Sequence, residues 1–368
     1  MIETPFASAK RIVVKTGSAL VAEHGQPRHA WLEKLAFDIV SLRSRGFQII
    51  LVSSGAVALG RKSVGNSVSN RLDQKQAAAA IGQLRLMSAI GQAFEPHDVT
   101  IGQALLTLGD TENRRRWLNA RATLETLLES GVVPVINEND TVATDEIRYG
   151  DNDRLAARIA QAAGADAVLL LSDVDGLFDR DPREPGARRI ARVDGVSPEI
   201  MAMATADSGS GLGSGGMRAK LQAARIAERA GIALAIINGT RPAPFAAALA
   251  QDSGTVFVPQ SGASARKAWL GGRLAPAGSV TVDQGCMAAL DNGASVLAAG
   301  VTAVEGDFVR GDLVAVHGPG GERLGQGLVE YAAAECRAIM GLREDQQART
   351  LGYAPRAAVV HRDHMVRL

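Results

Sequence analysis

The segment Arg11-Ile-Val-Val-Lys-Thr-Gly-Ser18 contains the pattern that decides the fold. A short apolar run, typical of a buried strand, leads directly into a polar Gly/Ser turn. The same pattern returns at residues 47–56, 132–141, 167–176 and 233–239, with segments of helical character between several of these runs. Strands that alternate with helices predict the α/β class, here a three-layer αβα sandwich built on a mostly parallel sheet.

The predicted helices lie between these strands. Apolar residues at helical spacing predict helices over residues 27–45, 110–129 and 154–163, and an Ala-rich stretch predicts another over residues 74–94. In an open sheet of this kind, ligands bind beyond the carboxyl ends of the strands. The polar turns that follow each strand are therefore the expected place for a functional site.

Chain length and composition indicate a second domain. A single core rarely grows beyond about 250–300 residues, and this chain has 368. We predict a larger domain over residues 1–260, a linker rich in Ser, Gly, Ala and Pro over 261–277, and a small mixed-β barrel over 278–368. Its predicted strands cover residues 279–282, 295–301, 312–316 and 326–329.

Composition excludes several classes of protein. A hydrophobic content of 46% and a net charge of +1 are typical of a soluble globular protein, without a general attraction for nucleic acids or membranes. No segment approaches the roughly 18 apolar residues of a membrane span, the N-terminus lacks the apolar core of a signal peptide, and two cysteines are too few for a disulfide framework. These features predict a cytoplasmic protein.

Residues 208–220 read Ser-Gly-Ser-Gly-Leu-Gly-Ser-Gly-Gly-Met-Arg-Ala-Lys and lead into a predicted helix. The glycines remove the Cβ atoms that would hold a phosphate away from backbone N–H groups, and a helix N-terminus adds partial positive charge. Lys220 lies within about one turn of that N-terminus. A flexible linker is the alternative interpretation. The segment lacks both the preceding strand of a dinucleotide fingerprint and the Gly-Lys-Ser/Thr of a Walker loop, so it predicts a phosphate-binding loop of another type.

Two clusters of amides and carboxylates form a second motif. Asn137-Glu138-Asn139-Asp140 follows a predicted strand, and Gly150-Asp151-Asn152-Asp153 precedes a predicted helix. Capping explains one Asp or Asn at a helix start, but three in a row exceed that need. Such side chains suit a ligand that carries an ammonium group or hydroxyls, whereas Lys15 and Lys220 suit the phosphates of a nucleoside triphosphate.

These motifs resemble those of the amino acid kinase family, and within it the glutamate 5-kinase branch with its C-terminal PUA domain. The resemblance covers essentially the whole chain. It rests on Val13-Val14-Lys15-x-Gly17-Ser18, Ser53-Ser54-Gly55-Ala56, Gly102-Gln103-x-Leu105-Leu106-Thr107, Asn137-Glu138-Asn139-Asp140, Gly150-Asp151-Asn152-Asp153, the glycine-rich loop up to Lys220 and the late His361-Arg362-Asp363.

The resemblance implies an activity. An enzyme of this branch transfers a phosphoryl group from ATP, with Mg²⁺, to the γ-carboxylate of L-glutamate and forms L-glutamyl 5-phosphate, the first step of proline biosynthesis. Feedback inhibition by proline and a homodimer or homotetramer are implied in the same way. RNA binding is the known role of PUA domains in other enzymes, but 11 acidic residues against eight Arg and no Lys from residue 281 onward argue against it here.

The resemblance also implies roles for individual residues. Expected catalytic residues are Lys15, Lys220 and Asp153. The expected glutamate-binding residues are Ser54, Gly55, Asn137, Asp140 and Asn152. Expected ATP-binding residues are Lys15, Ser172, Asp173, Ser214, Gly215, Gly216, Met217, Arg218, Ala219 and Lys220. Ser172, Ser214 and Ala219 stand where the family usually has Thr, and Ala219 supplies no hydroxyl. No metal ligands are assigned. The nearest alternatives are kinases of this fold for aspartate or N-acetylglutamate, against which the PUA-like tail argues.

Overall fold

A computed structural model describes residues 6, 8–65, 71–142, 152–204, 216–241, 244–245, 253–259 and 276–367. Contacts within the chain define two compact units, Met1–Gly262 and Ala263–Leu368. Most of the predicted linker lies outside the described residues.

The first unit is organised by an eight-stranded sheet. Its strands are β1 (Arg11–Thr16), β4 (Gln48–Val52), β5 (Ile101–Leu106), β6 (Val133–Glu138), β7 (Ala167–Ser172), β10 (Arg192–Asp194), β11 (Ala233–Asn238) and β12 (Thr255–Val258), and short pairs are formed by β2 (Ala22–Glu23) with β3 (Gln26–Pro27) and by β8 (Leu177–Phe178) with β9 (Arg189–Ile190). The sheet order is β10-β12-β11-β7-β1-β4-β6-β5. Every neighbouring pair is parallel except β11 with β12, which confirms the predicted mostly parallel sheet.

Helices cover both faces of this sheet. They comprise Ser18–Val21, His29–Ser44, Ala56–Val64, Leu72–Phe94, Leu108–Glu112, Arg114–Glu129, Asn152–Ala162, Pro198–Ala202 and Met217–Arg229. The single helix predicted over residues 110–129 is wrong, because Asn113 ends one helix and its side chain accepts from the Arg116 N–H to start the next. None of the helices that the structure describes is long and apolar enough to cross a membrane.

Alternating side chains of the strands build two separate cores. Ile12 and Val14 of β1 pack on one face, with Leu35 and Ile90 of the covering helices. Val13 packs on the other face, where its core includes Ile159 and residues of the helix Met217–Arg229. Because successive strand residues point to opposite faces, one apolar run serves both cores, which accounts for the nearly continuous hydrophobicity of β1.

Two helices of the first face cross with their backbones in close contact. A Cβ atom added to Gly60 would lie 1.8 Å from the Ala78 carbonyl oxygen, and one added to Gly82 would lie 1.7 Å from that of Ala56. The helices Ala56–Val64 and Leu72–Phe94 can therefore approach this closely only with glycine at both positions. Gln83 directly follows Gly82 at this crossing.

The second unit is built on a five-stranded mixed sheet. Its strands are β13 (Gly278–Val282), β14 (Val301–Gly306), β15 (Leu313–His317), β16 (Arg323–Val329) and β17 (Val360–Arg367), in the order β14-β13-β15-β16-β17, and its helices are Gln284–Asp291, Ala333–Ile339 and Glu344–Leu351. The strand predicted over 295–301 is wrong. Only Val296 makes a bridge there, residues Ala298–Gly300 form a 3-10 turn, and the strand begins at Val301.

Gly82→Ala should lower the free energy of unfolding by about 2–4 kcal/mol, because the new methyl group meets backbone that cannot move without separating the helices. Gly91→Ala is the matched control on the same helix. Its added Cβ would come no closer than 3.8 Å to Ile101 Cδ1, and helix propensity should make it neutral or stabilising by up to about 1 kcal/mol. Urea unfolding of both variants tests the crossing, and equal effects would contradict it.

Candidate active site

The register of the central strands brings the predicted polar residues to one edge of the sheet. Lys15 of β1 pairs with Val52 of β4, and Val52 pairs with Ile136 of β6. Lys15, the turn that follows Val52 and Asn137 therefore lie at the same end of three adjacent strands. Ser172 follows Leu171, the partner of Thr16, on the other side of β1. These are the carboxyl ends of parallel strands, where the sequence predicted a site.

Asp153 joins the two predicted catalytic lysines. Its carboxylate lies 2.5 Å from Lys15 Nζ through Oδ1 and 3.1 Å from Lys220 Nζ through Oδ2. All three side chains are buried, with exposed fractions of 6%, 8% and 1% for Lys15, Lys220 and Asp153. Asp153 and Lys220 each lie in the first turn of a helix, whereas Lys15 lies on the central strand. The arrangement places two ammonium groups side by side at the sheet edge.

The charge state of Asp153 follows from this geometry. Burial alone would raise the pKa of its carboxyl group, but the two neighbouring ammonium groups outweigh burial and lower the pKa to about 2. The carboxylate is therefore ionised at neutral pH and balances only one of the two positive charges. The cluster carries a net charge of about +1 and is suited to an anion such as a phosphoryl group.

A layer of buried amides adjoins the lysine cluster. Asn152 Nδ2 lies 2.7 Å from Ser54 Oγ, 3.1 Å from the Ser53 carbonyl and 3.1 Å from Asn137 Oδ1. Asn137 Oδ1 also accepts from the Glu138 N–H at 2.9 Å, and its Nδ2 donates to Gln83 Oε1 at 2.7 Å. The structure thus brings three of the predicted substrate residues, Ser54, Asn137 and Asn152, into one network.

Gln83 is a member of this network that the sequence reasoning missed. It lies on the helix Leu72–Phe94, on the same stripe as the buried residues Ala79, Leu86 and Ile90. The stripe is read from spacings of three and four residues. A polar side chain in the middle of an apolar helical stripe was the available signal, because a buried amide needs hydrogen-bond partners.

Asp140 and Gly55 are close in sequence to members of this network, since Asp140 comes three residues after Asn137 and Gly55 directly follows Ser54. Asp140 is half-buried just after β6, and burial raises the pKa of its carboxyl group to about 6. Gly55 is the N-cap of the helix Ala56–Val64. Its φ of +110° is a backbone conformation that residues with a side chain rarely adopt. Gly55 therefore serves the turn geometry that presents Ser54.

The predicted nucleotide-binding residues are described only in part. Gly216 is the N-cap of the helix Met217–Arg229 and offers no side chain to its first N–H groups. Met217 packs against the second core and Arg218 is exposed. Ser172 donates to Asp173 at 3.2 Å. Ser214 and Gly215 lie outside the described residues, as do Gly150 and Asp151 of the Gly-Asp-Asn-Asp motif.

No protein-only metal centre is found in the part of the chain that the structure describes, since no group of three or more His, Cys, Asp or Glu side chains is placed to hold an ion. Mg²⁺ commonly binds through substrate phosphates and one or two carboxylates, so a centre of this kind does not require such a group.

Known proteins are similar to this chain over nearly its whole length. The model of the amino acid kinase family matches residues 10–238, and that of the PUA domain matches residues 278–351. A glutamate 5-kinase of Novosphingobium aromaticivorans is 57% identical over 368 residues, which cover 99% of this chain and 98% of the relative. Glutamate 5-kinases of Sphingopyxis alaskensis and Caulobacter vibrioides are each 53% identical, covering 99% and 98% of this chain and 99% and 97% of the relatives.

Family models cover both units of the chain, and the relatives align over nearly their full length. The chain therefore belongs to the amino acid kinase family, in its glutamate 5-kinase branch, and carries a C-terminal PUA domain.

Proposed function

We propose that this kinase phosphorylates the γ-carboxylate of L-glutamate with ATP and forms L-glutamyl 5-phosphate for proline biosynthesis. The observation that supports this proposal most strongly is the contact of Lys15 and Lys220 with one buried carboxylate, directly beside the amide layer. An anion site next to neutral donors and acceptors suits a phosphoryl group beside an amino acid. The names of the relatives supply the substrate.

Phosphoryl transfer to the γ-carboxylate depends on positioning of the two substrates more than on proton transfer. A γ-carboxylate has a pKa of about 4.3 and is already ionised at neutral pH, so no general base is required. Bringing this anion to a triphosphate is the main obstacle, and charge neutralisation with alignment overcomes it. In the proposal, Lys15 and Lys220 stabilise the transferring phosphoryl group and Asp153 holds the two lysines. Ser54, Asn137, Asn152 and Asp140 hold glutamate.

ATP binds in this proposal at the N-terminus of the helix Met217–Arg229, with Ser172 and Asp173 on the neighbouring strand end. Uncapped N–H groups after Gly216 fit a phosphate, and Lys220 lies one turn further along. Ser214, Gly215 and Ala219 complete the predicted loop. Asp173 is an exposed carboxylate at the same edge and would be able to hold a Mg²⁺ ion bound with the nucleotide, and that ion would neutralise phosphate charge.

We propose that residues 1–260 form the catalytic domain, residues 261–277 a linker and residues 278–368 the PUA domain. A cytoplasmic homodimer or homotetramer and inhibition by proline rest on the family resemblance alone. Proline added at millimolar concentration to the assay below tests the inhibition.

Substrate and reaction are tested together by ADP release from Mg·ATP with glutamate, N-acetylglutamate or aspartate, in the presence of hydroxylamine to trap an acyl phosphate. We expect ADP and hydroxamate from glutamate alone. N-acetylglutamate lacks the α-ammonium group that the Asp140 carboxylate would pair with, and aspartate is one methylene too short to reach from the amide layer to the lysines. Hydroxamate from another member of the panel and none from glutamate would overturn the proposal.

Asp140 predicts a specific pH dependence. Its carboxylate pairs with the substrate ammonium only when deprotonated, so kcat/KM for glutamate should rise with pH through about 6, the raised pKa of this group. Asp140→Asn should raise the glutamate KM by about 10-fold or more, leave the ATP KM within about twofold and abolish that rise.

Asp98→Asn is the matched control, because Asp98 is exposed and Asn tolerates its left-handed backbone (φ +54°). Steady-state kinetics of both variants between pH 5 and 8 provide the test. An unchanged pH profile in Asp140→Asn would exclude Asp140 as the partner of the ammonium.

A further inference from the structure

The orientation of the three buried amides is fixed by two backbone groups. The Glu138 N–H can only donate, so the Asn137 atom 2.9 Å away is the carbonyl oxygen Oδ1. The Ser53 carbonyl can only accept, so the Asn152 atom 3.1 Å away is Nδ2. With Asn137 fixed, its Nδ2 must donate, and the Gln83 atom 2.7 Å away is therefore Oε1.

This fixed orientation leaves two polar atoms without a hydrogen-bond partner among the residues that the structure describes. They are Gln83 Nε2, a donor, and Asn152 Oδ1, an acceptor. Gln83 is 9% exposed and Asn152 is 3% exposed. A buried polar group without a partner is costly in a folded protein and often marks a place where a ligand completes the hydrogen bonds.

Glutamate carries groups that match this donor and this acceptor. Its α-carboxylate accepts hydrogen bonds and its α-ammonium group donates them, whereas its γ-carboxylate is required at the lysine cluster. A neutral donor holds the α-carboxylate without adding a positive charge that would weaken the attraction between Asp140 and the ammonium group.

We propose that Gln83 binds the substrate, with Nε2 donating to the α-carboxylate while Oε1 orients Asn137. This inference rests on the proposed function and adds a specificity-determining residue to it. Both atoms are covered in the structure, so binding of the substrate would require them to become accessible.

Two substitutions separate binding of the substrate from orientation of Asn137. Gln83→Glu keeps an acceptor for Asn137 and removes the donor, whereas Gln83→Met removes both. We expect Gln83→Glu to raise the glutamate KM by about 10-fold or more and to leave the ATP KM nearly unchanged. Gln83→Met should raise the glutamate KM by no more than Gln83→Glu does. A near-normal glutamate KM in Gln83→Glu beside an impaired Gln83→Met would overturn the proposal, because only the orientation of Asn137 would then matter.

Gln92→Glu, an exposed position on the same helix, is the control for the added charge, and thermal melting checks that each variant is folded.

A second measurement avoids the buried charge altogether. Isoglutamine carries an amide in place of the α-carboxylate, so the preference for glutamate over isoglutamine in kcat/KM should narrow by about 10-fold in Gln83→Met. An unchanged preference would also overturn the proposal. Failure of the proposed function would appear instead as absent glutamate turnover in the wild-type enzyme.

Discussion

The contact of Asp153 with both Lys15 and Lys220 is the interaction on which the site depends. Two ammonium groups held close together repel each other, and burial raises the cost of that repulsion. A single ionised carboxylate between them relieves it and leaves one positive charge uncompensated. Each partner comes from a different element, so the strand β1 and two helix N-termini must be correctly placed before the cluster can form.

The fold meets this requirement through its sheet. Register between β1, β4 and β6 aligns Lys15 with the amide layer, and the two cores hold the strands from both faces. Close packing at Gly60 and Gly82 then sets Gln83 against Asn137. Positive charge and neutral amides thus lie side by side at one sheet edge. A substrate with an anionic end and an ammonium end can use both.

Sequence alone predicted those parts of the structure that local patterns determine. Apolar runs such as residues 11–14 identified the strands, and the polar residues at their carboxyl ends identified Lys15 and Asn137. Gln83 was missed because its role depends on a helix crossing between distant segments, which no local pattern records. The helix break at Asn113 was missed because the helical spacing of apolar residues predicted one continuous helix, whereas the Asn113 side chain caps a new helix there. β17 was missed because its residues are largely polar.

The central claim is that Asp153 acts by holding the two lysines, and a double-mutant cycle with Asp153→Asn and Lys220→Ala tests it most directly. Single-turnover rates with glutamate and Mg·ATP should fall by about 10²-fold or more in Lys220→Ala. If Asp153 works through the lysines, the double variant should lose little more than the worse single variant, because residues that act as a unit are not additive. Losses that multiply in the double variant would mean that Asp153 acts independently of Lys220, and would contradict the account.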